Sequence, residues 1–109
     1  MCIRDRDDPT LDEGLRLAER AYQRAPASAP IADTLGFALY RKGELDRAEK
    51  LLAQAVSLAP KNGEIRYHLG LTYAKQGRTA DARRALEQAL QGGSFPSAEE
   101  ARKVLNSLQ

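Results

Sequence analysis

A 34-residue repeat runs through the middle of this chain. Leu35-Gly36 returns as Leu69-Gly70, and Gly43 returns as Gly77. Three small or apolar positions recur on the same frame, namely Ala48 with Ala82, Leu52 with Leu86, and Ala55 with Ala89. A period of this length is typical of helix–turn–helix units, which stack because one unit cannot bury its apolar face alone. The repeat therefore predicts an all-α fold of stacked antiparallel helix pairs.

Turn-forming residues divide the chain into about six predicted helices. Proline and glycine interrupt the periodic apolar segments, which predicts helices over about 11–24, 28–42, 44–59, 63–76, 79–91 and 98–108. Thr10 with Glu13, and Ser97 with Glu100, have the spacing of a capping box, in which hydroxyl and carboxylate each satisfy a backbone amide. We expect Thr10 and Ser97 to be N-caps, and Asn62 to cap the fourth helix.

The first residues differ from the rest of the chain. Met1-Cys2-Ile3-Arg4-Asp5-Arg6 resembles the translation of a transposase adapter from a sequencing library. We expect residues 1–9 to be a disordered, adapter-like segment, with the true N-terminus further upstream. Pro26 precedes Pro60 by one period, so the first helix matches the second half of a repeat. The domain 10–109 would then comprise a half repeat 10–28, whole repeats 29–62 and 63–96, and a capping helix 97–109.

Composition argues against several classes of protein. The 17 basic and 15 acidic residues are interspersed, whereas nucleic-acid binders usually carry a basic stripe. No apolar run approaches the roughly 18 residues of a membrane span, so direct membrane insertion is not expected. One histidine and one cysteine cannot assemble a structural zinc site, which takes about four ligands. We expect no metal, no cofactor and no catalytic residue, and therefore no enzyme.

The recurring positions resemble the tetratricopeptide repeat. In that family the first helix carries a large residue, then Leu-Gly and an aromatic residue, the second carries Ala, a bulky apolar residue and Ala, and a proline follows. The first whole repeat has Leu35, Gly36, Leu39, Ala48, Leu52, Ala55 and Pro60, and the second has Leu69, Gly70, Tyr73, Ala82, Leu86 and Ala89. The resemblance covers residues 10–108. It implies a right-handed α-solenoid in which the glycines let paired helices approach closely.

In this family the first helix of each repeat lines a concave groove that binds protein partners. The groove positions here would be Asp33, Phe37, Tyr40, Arg41, Tyr67, His68, Leu71 and Lys75, all of them exposed. Aromatic anchors beside a charged rim suit peptide recognition, so the resemblance implies a scaffold that binds a peptide or helix. Some of these aromatics could instead be core residues, as we expect for Tyr73. Asp33 would repel a carboxylate, so capture of a partner's C-terminal carboxylate is not expected.

The resemblance leaves other functions and the compartment open. The segments 32–36 and 66–70 resemble the final repeats of bacterial envelope and exopolysaccharide-associated proteins. The chain would then lie in the cytoplasm, or in the periplasm or envelope, of a bacterium. One alternative is a non-catalytic appendage of a larger enzyme, such as a glycosyltransferase or peptidase, encoded upstream. Another is a homo-oligomer formed through the half repeat, where Leu11, Leu15 and Leu17 would be available.

Overall fold

The computed structural model describes residues 9–108, which form six α-helices and, within that range, no strand. The helices are α1 (Pro9–Arg24), α2 (Ala29–Lys42), α3 (Leu45–Leu58), α4 (Gly63–Lys75), α5 (Thr79–Gln91) and α6 (Ala98–Ser107). All six predicted helices are present, with ends within about two residues of the expected ones. The adapter-like segment lies outside the described residues apart from Pro9, which is the first residue of α1.

The helix starts follow the expected cap at Asn62, have a further cap at Ser28 that was not predicted, and differ from the expectation at Thr10. The backbone N–H of Ile31 donates to Ser28 Oγ at 3.3 Å, and that of Ile65 donates to Asn62 Oδ1 at 3.2 Å. Both side chains satisfy an amide that the first turn leaves without a partner. Thr10 lies inside the first turn of α1 because the helix already begins at Pro9, a residue that helix starts tolerate. The prediction that Thr10 is an N-cap is therefore wrong.

Two glycines one period apart end the first helix of each whole repeat. Gly43 and Gly77 have φ values of 93° and 81°, in the left-handed region that glycine adopts without a Cβ clash. The N–H of Glu44 donates to Leu39 O at 2.9 Å, and that of Arg78 donates to Tyr73 O at 2.9 Å. This bonding closes a helix end and reverses the chain, so the next helix folds back on the first.

Close helix pairs make up each whole repeat. α2 packs mainly on α3, and α4 mainly on α5. A Cβ built on Gly36 would lie 2.7 Å from Leu52 Cγ, and one built on Gly70 would lie 2.9 Å from the Leu86 side chain. Real Cβ atoms do not approach that closely, so glycine is what lets a leucine of the second helix lie against the backbone of the first. The predicted role of both glycines is confirmed.

The first helices of the repeats form one continuous layer. α2 contacts α4 and α4 contacts α6, whereas within residues 9–108 the backbones of the second helices α3 and α5 lie further apart. The molecule therefore curves with α2, α4 and α6 on its inner side. Fully buried side chains hold the layers together, the largest being Leu35, Leu39, Leu52, Ile65, Leu86 and Thr72. Across the described residues, none of the helices has the length and apolar character needed to cross a membrane.

Candidate peptide-binding groove

The expected groove residues lie in two rows on adjacent helices. On α2, Asp33, Phe37 and Arg41 follow one another at intervals of four residues, and on α4 Tyr67 and Lys75 belong to a similar row with Leu71 between them. Residues four apart lie on one side of a helix. Because α2 and α4 contact each other, the two rows form neighbouring strips of the inner layer.

His68 is buried rather than exposed, which corrects the expectation that it faces the open groove. Its relative exposure is 9%, and its Nδ1 lies 2.6 Å from Asp33 Oδ1. Its Nε2 lies 3.5 Å from Glu64 Oε2, one turn earlier on the same helix. An ionised carboxylate only accepts hydrogen bonds, so Nδ1 donates to Asp33 in this contact. The imidazole thus links α4 to α2 and lies beside carboxylates on both helices.

Five rings form a continuous row across the groove. Phe37 stacks on His68 with ring centroids 4.0 Å apart, and on Tyr40 with centroids 5.4 Å apart. Tyr67 lies 5.7 Å from His68 and 6.4 Å from Phe95, in tilted arrangements. The row begins on α2, crosses α4 and ends in the segment before α6. Apart from His68 its members are half-buried, so one side of the row remains open to a ligand.

The charges at the groove differ in how they are satisfied. The carboxylates of Asp33 and Glu64 both contact the imidazole of His68. Arg41 and Lys75 are exposed, and the Lys75 Nζ lies 5.5 Å from the centre of the Tyr40 ring. Such a cation is attracted to the ring face. The edge of the groove formed by the last turns of α2 and α4 is therefore basic.

Burial also raises the pKa of the two tyrosines in the groove, Tyr40 and Tyr67. It raises the pKa of Tyr40 above the ordinary 10.0. The pKa of Tyr67 is raised as well, first by burial and then by the nearby carboxylate of Glu100. Both phenols therefore stay neutral at physiological pH and can donate a hydrogen bond to a ligand.

A cavity of about 350 Å³ opens between α1 and the α2 row. It brings together four of the expected site residues, Asp33, Phe37, Arg41 and His68. The rest of its lining comes from α1 and from the adjoining side of α2, namely Thr10, Leu11, Gly14, Thr34 and Ala38. Tyr67, Leu71 and Lys75 lie beyond this cavity, further along the inner layer. The groove therefore combines a recess at the α1 end with a flatter aromatic surface.

Three residues that the repeat pattern did not single out complete the site. Ser97 Oγ donates to Glu64 Oε2 at 2.6 Å, and the Ser97 N–H donates to Glu64 Oε1 at 3.1 Å. The Ser97 side chain makes no cap hydrogen bond within its own helix, so the predicted capping box at Ser97 and Glu100 is wrong. Phe95 packs on Gly63, where a Cβ would lie 2.5 Å from the ring. Of the three, only Glu64 could have been linked to His68 from the sequence, because it lies four residues earlier on the same helix.

The fold and the groove define a class of protein, the α-solenoid built from helix–turn–helix repeats. The family model described as tetratricopeptide repeat matches residues 34–105. This is about two thirds of the chain, and the protein belongs to the tetratricopeptide repeat family. Comparison with curated proteins gives no match.

A solved structure supports the same fold. The chain is similar to the type III secretion translocator chaperone SycD of Yersinia enterocolitica, with a TM-score of 0.83 and 12% sequence identity. The match covers 98% of this chain and 77% of that one. At this identity the likeness establishes the fold alone. Membership of the tetratricopeptide repeat family makes the chain a protein-interaction module.

Proposed function

We propose that this chain binds a peptide or helix of another protein in the groove formed by α2, α4 and the start of α6. The observation that carries the proposal is the row of rings from Tyr40 through Phe37 and His68 to Tyr67 and Phe95. Large, stiff aromatic side chains provide much contact area at low entropic cost, which is why they dominate binding hot spots. Apolar side chains of the partner would lie on this row.

The site is held in place before a ligand arrives. His68 is stacked on Phe37 and bonded to Asp33, while Glu64 is bonded to Ser97. A ligand therefore does not have to order these side chains when it binds, which lowers the entropic cost of association. Arg41 and Lys75 would provide the polar rim that orients the partner.

The test uses a random peptide display library selected on the immobilised chain. Peptides enriched by the wild-type chain are measured by fluorescence anisotropy against the double variant Phe37→Ala with Tyr67→Ala. We expect affinity to fall by about tenfold or more, since hot-spot truncations cost about 2 kcal/mol or more. Leu58→Ala is the matched control, because Leu58 is 44% exposed at the end of α3, away from the groove. Equal binding by the double variant with unchanged circular dichroism would overturn the proposal.

A further inference from the structure

The cations at the ends of α2 and α4 differ in whether the chain pairs them. Beside the groove, Lys42 lies 2.6 Å from a carboxylate of α1, and Arg78 lies 2.9 Å from carboxylates of α3 and α5. In the groove, Arg41 and Lys75 are exposed, and within residues 9–108 neither makes an ion pair. We call these two groove cations, Arg41 and Lys75, the basic edge.

The repeat gives the basic edge a defined spacing. Arg41 and Lys75 are 34 residues apart, so they occupy the same position on successive first helices. The Lys75 Nζ lies over the ring of Tyr40, the residue before Arg41, which places both cations at one edge of the groove. Packed helices have axes about 8–10 Å apart. In an extended peptide, at about 3.3 Å per residue, side chains two or three positions apart would match that spacing.

The groups around the basic edge lack an acceptor rather than a donor. The nearest groove carboxylates, those of Asp33 and Glu64, already contact side chains of α4 and of the segment before α6. The hydroxyl of Tyr40 makes no hydrogen bond within the described part of the chain, and the raised pKa keeps it protonated. A ligand that lies here must therefore supply acceptors and negative charge.

The opposite edge of the groove has the opposite charge. The bond between Ser97 and Glu64 places the start of α6 beside the start of α4, and the first turn of α6 presents exposed Glu99 and Glu100. α4 has 13 residues, so the two edges are about 20 Å apart, or about two Debye lengths at 0.1 M salt. Acidic groups of a ligand are thus favoured at the basic edge and repelled at the other.

We propose, on the basis of the groove function proposed above, that the partner's segment carries two acidic side chains that pair with Arg41 and Lys75, beside an apolar side chain that lies on the row of rings. Asp33 lies eight residues before Arg41, about 12 Å along the helix, so it does not oppose this pairing. A nucleic acid fits less well, because its phosphates continue along its whole length and would meet Glu99 and Glu100.

Charge reversal tests the pairing. The wild-type chain and the double variant Arg41→Glu with Lys75→Glu are each used to select peptides from a random display library. We expect the wild-type chain to enrich Asp and Glu beside large apolar residues, and the variant to enrich Lys and Arg beside the same apolar residues. Lys50→Glu with Lys61→Glu is the matched control, because it changes the net charge equally at two exposed positions outside the groove. Equal acidic content in the wild-type and reversed pools would overturn the proposal.

Fluorescence anisotropy with one enriched peptide measures the size of the effect. Replacing its two acidic residues by the corresponding amides should weaken binding by several-fold, since one exposed ion pair contributes about fivefold at most. The difference should largely vanish in 1 M salt, where the Debye length is about 3 Å. Arg41→Gln with Lys75→Gln should bind the acidic and amide peptides alike, with an unchanged circular dichroism spectrum. Equal affinity of the wild-type chain for both peptides would contradict the pairing.

The acidic partner and the groove function can fail separately. Binding that is lost in Phe37→Ala with Tyr67→Ala, but unchanged in Arg41→Gln with Lys75→Gln, would retain the groove and overturn the acidic pairing. A library from which no peptide is enriched would overturn both. Fluorescein-labelled single-stranded DNA of mixed sequence is the last probe. If it binds as tightly as the peptide and depends on the basic edge, phosphates rather than an acidic peptide are the ligand, and the proposal is wrong.

Discussion

Asp33 Oδ1 and His68 Nδ1 lie 2.6 Å apart and form a hydrogen bond between two neighbouring repeats. Their side chains are 18% and 11% exposed, so the contact is largely shielded from water. Stacked repeats contact only their neighbours, and their stability depends on the interface between them. This bond adds a polar, directional contact to the apolar packing of α2 and α4.

Replacing His68 by leucine should therefore destabilise the fold. The substitution removes the donor and leaves the Asp33 carboxylate shielded without its partner, which costs about 1–3 kcal/mol. Urea unfolding followed by circular dichroism measures the loss. The double variant His68→Leu with Asp33→Leu should recover part of it, because neither polar group then lacks a partner. An unfolding free energy equal to that of the wild-type chain would show that the bond is not formed in solution.

Alanine at Gly36 and alanine at Gly14 should have opposite effects. A Cβ at Gly36 would lie 2.7 Å from Leu52 Cγ, and forcing extra volume into a packed core costs about 1–3 kcal/mol. Gly14 has open space within 4 Å and lies inside α1, where alanine is favoured over glycine by about 1 kcal/mol. The midpoint temperature of thermal unfolding should therefore be lower for Gly36→Ala than for the wild-type chain, and higher for Gly14→Ala. Both variants shifting in the same direction would contradict the packing described here.

The repeat frame explains why much of this fold could be predicted from sequence. Gly36 and Gly70 lie against equivalent leucines of the paired helix. The same requirement for a residue without a Cβ therefore occurs twice, 34 residues apart. Gly43 and Gly77 likewise end equivalent helices with equivalent hydrogen bonds. A signal that recurs in register is difficult to obtain by chance, and these features depend on contacts inside one repeat.

The features that could not be predicted depend on contacts between repeats. His68 is buried because Phe37 stacks on it from the neighbouring helix, and nothing adjacent to it in the chain indicates this. Ser97 has the local pattern of a capping residue. Its hydroxyl and its backbone amide instead donate hydrogen bonds to Glu64, 33 residues earlier. The Glu64 carboxylate binds the Ser97 hydroxyl in place of a backbone amide of α6. It can do so because α6 packs on α4, which the local sequence does not indicate.

Ser97→Ala should loosen α6 from the rest of the domain. Glu64 accepts from both the hydroxyl and the amide at the start of α6, which supplies a cap and a negative charge near the positive end of the helix dipole. We expect a loss of about 0.5–2 kcal/mol, the usual range for a helix cap. Native-state hydrogen exchange should show faster exchange in α6 while α2 and α3 change little. Ser107→Ala is the control, since Ser107 Oγ donates only to Val104 O at the end of the same helix.

Glu19 and Arg47 should make stability depend on pH in a defined window. Two hydrogen bonds of 2.7 Å join the carboxylate of α1 to the guanidinium of α3. The hydrogen bond with Arg47 holds the pKa of Glu19 below its ordinary 4.5, against a smaller opposing effect of burial. A carboxyl whose pKa is lower in the folded chain binds protons more readily when unfolded. Its contribution is therefore complete above pH 4.5 and is lost as the pH falls through the lowered value.

Glu19→Gln isolates this contribution. The side chains of Glu19 and Arg47 are 32% and 48% exposed, so solvent screens the pair and we expect only about 0.2–1 kcal/mol at pH 7. The difference from the wild-type chain should shrink towards zero in strongly acidic buffer, where Glu19 is protonated, and should also decrease in high salt. Urea unfolding at a series of pH values measures both trends. A pH-independent effect of Glu19→Gln would mean that packing, not charge, accounts for the role of this residue.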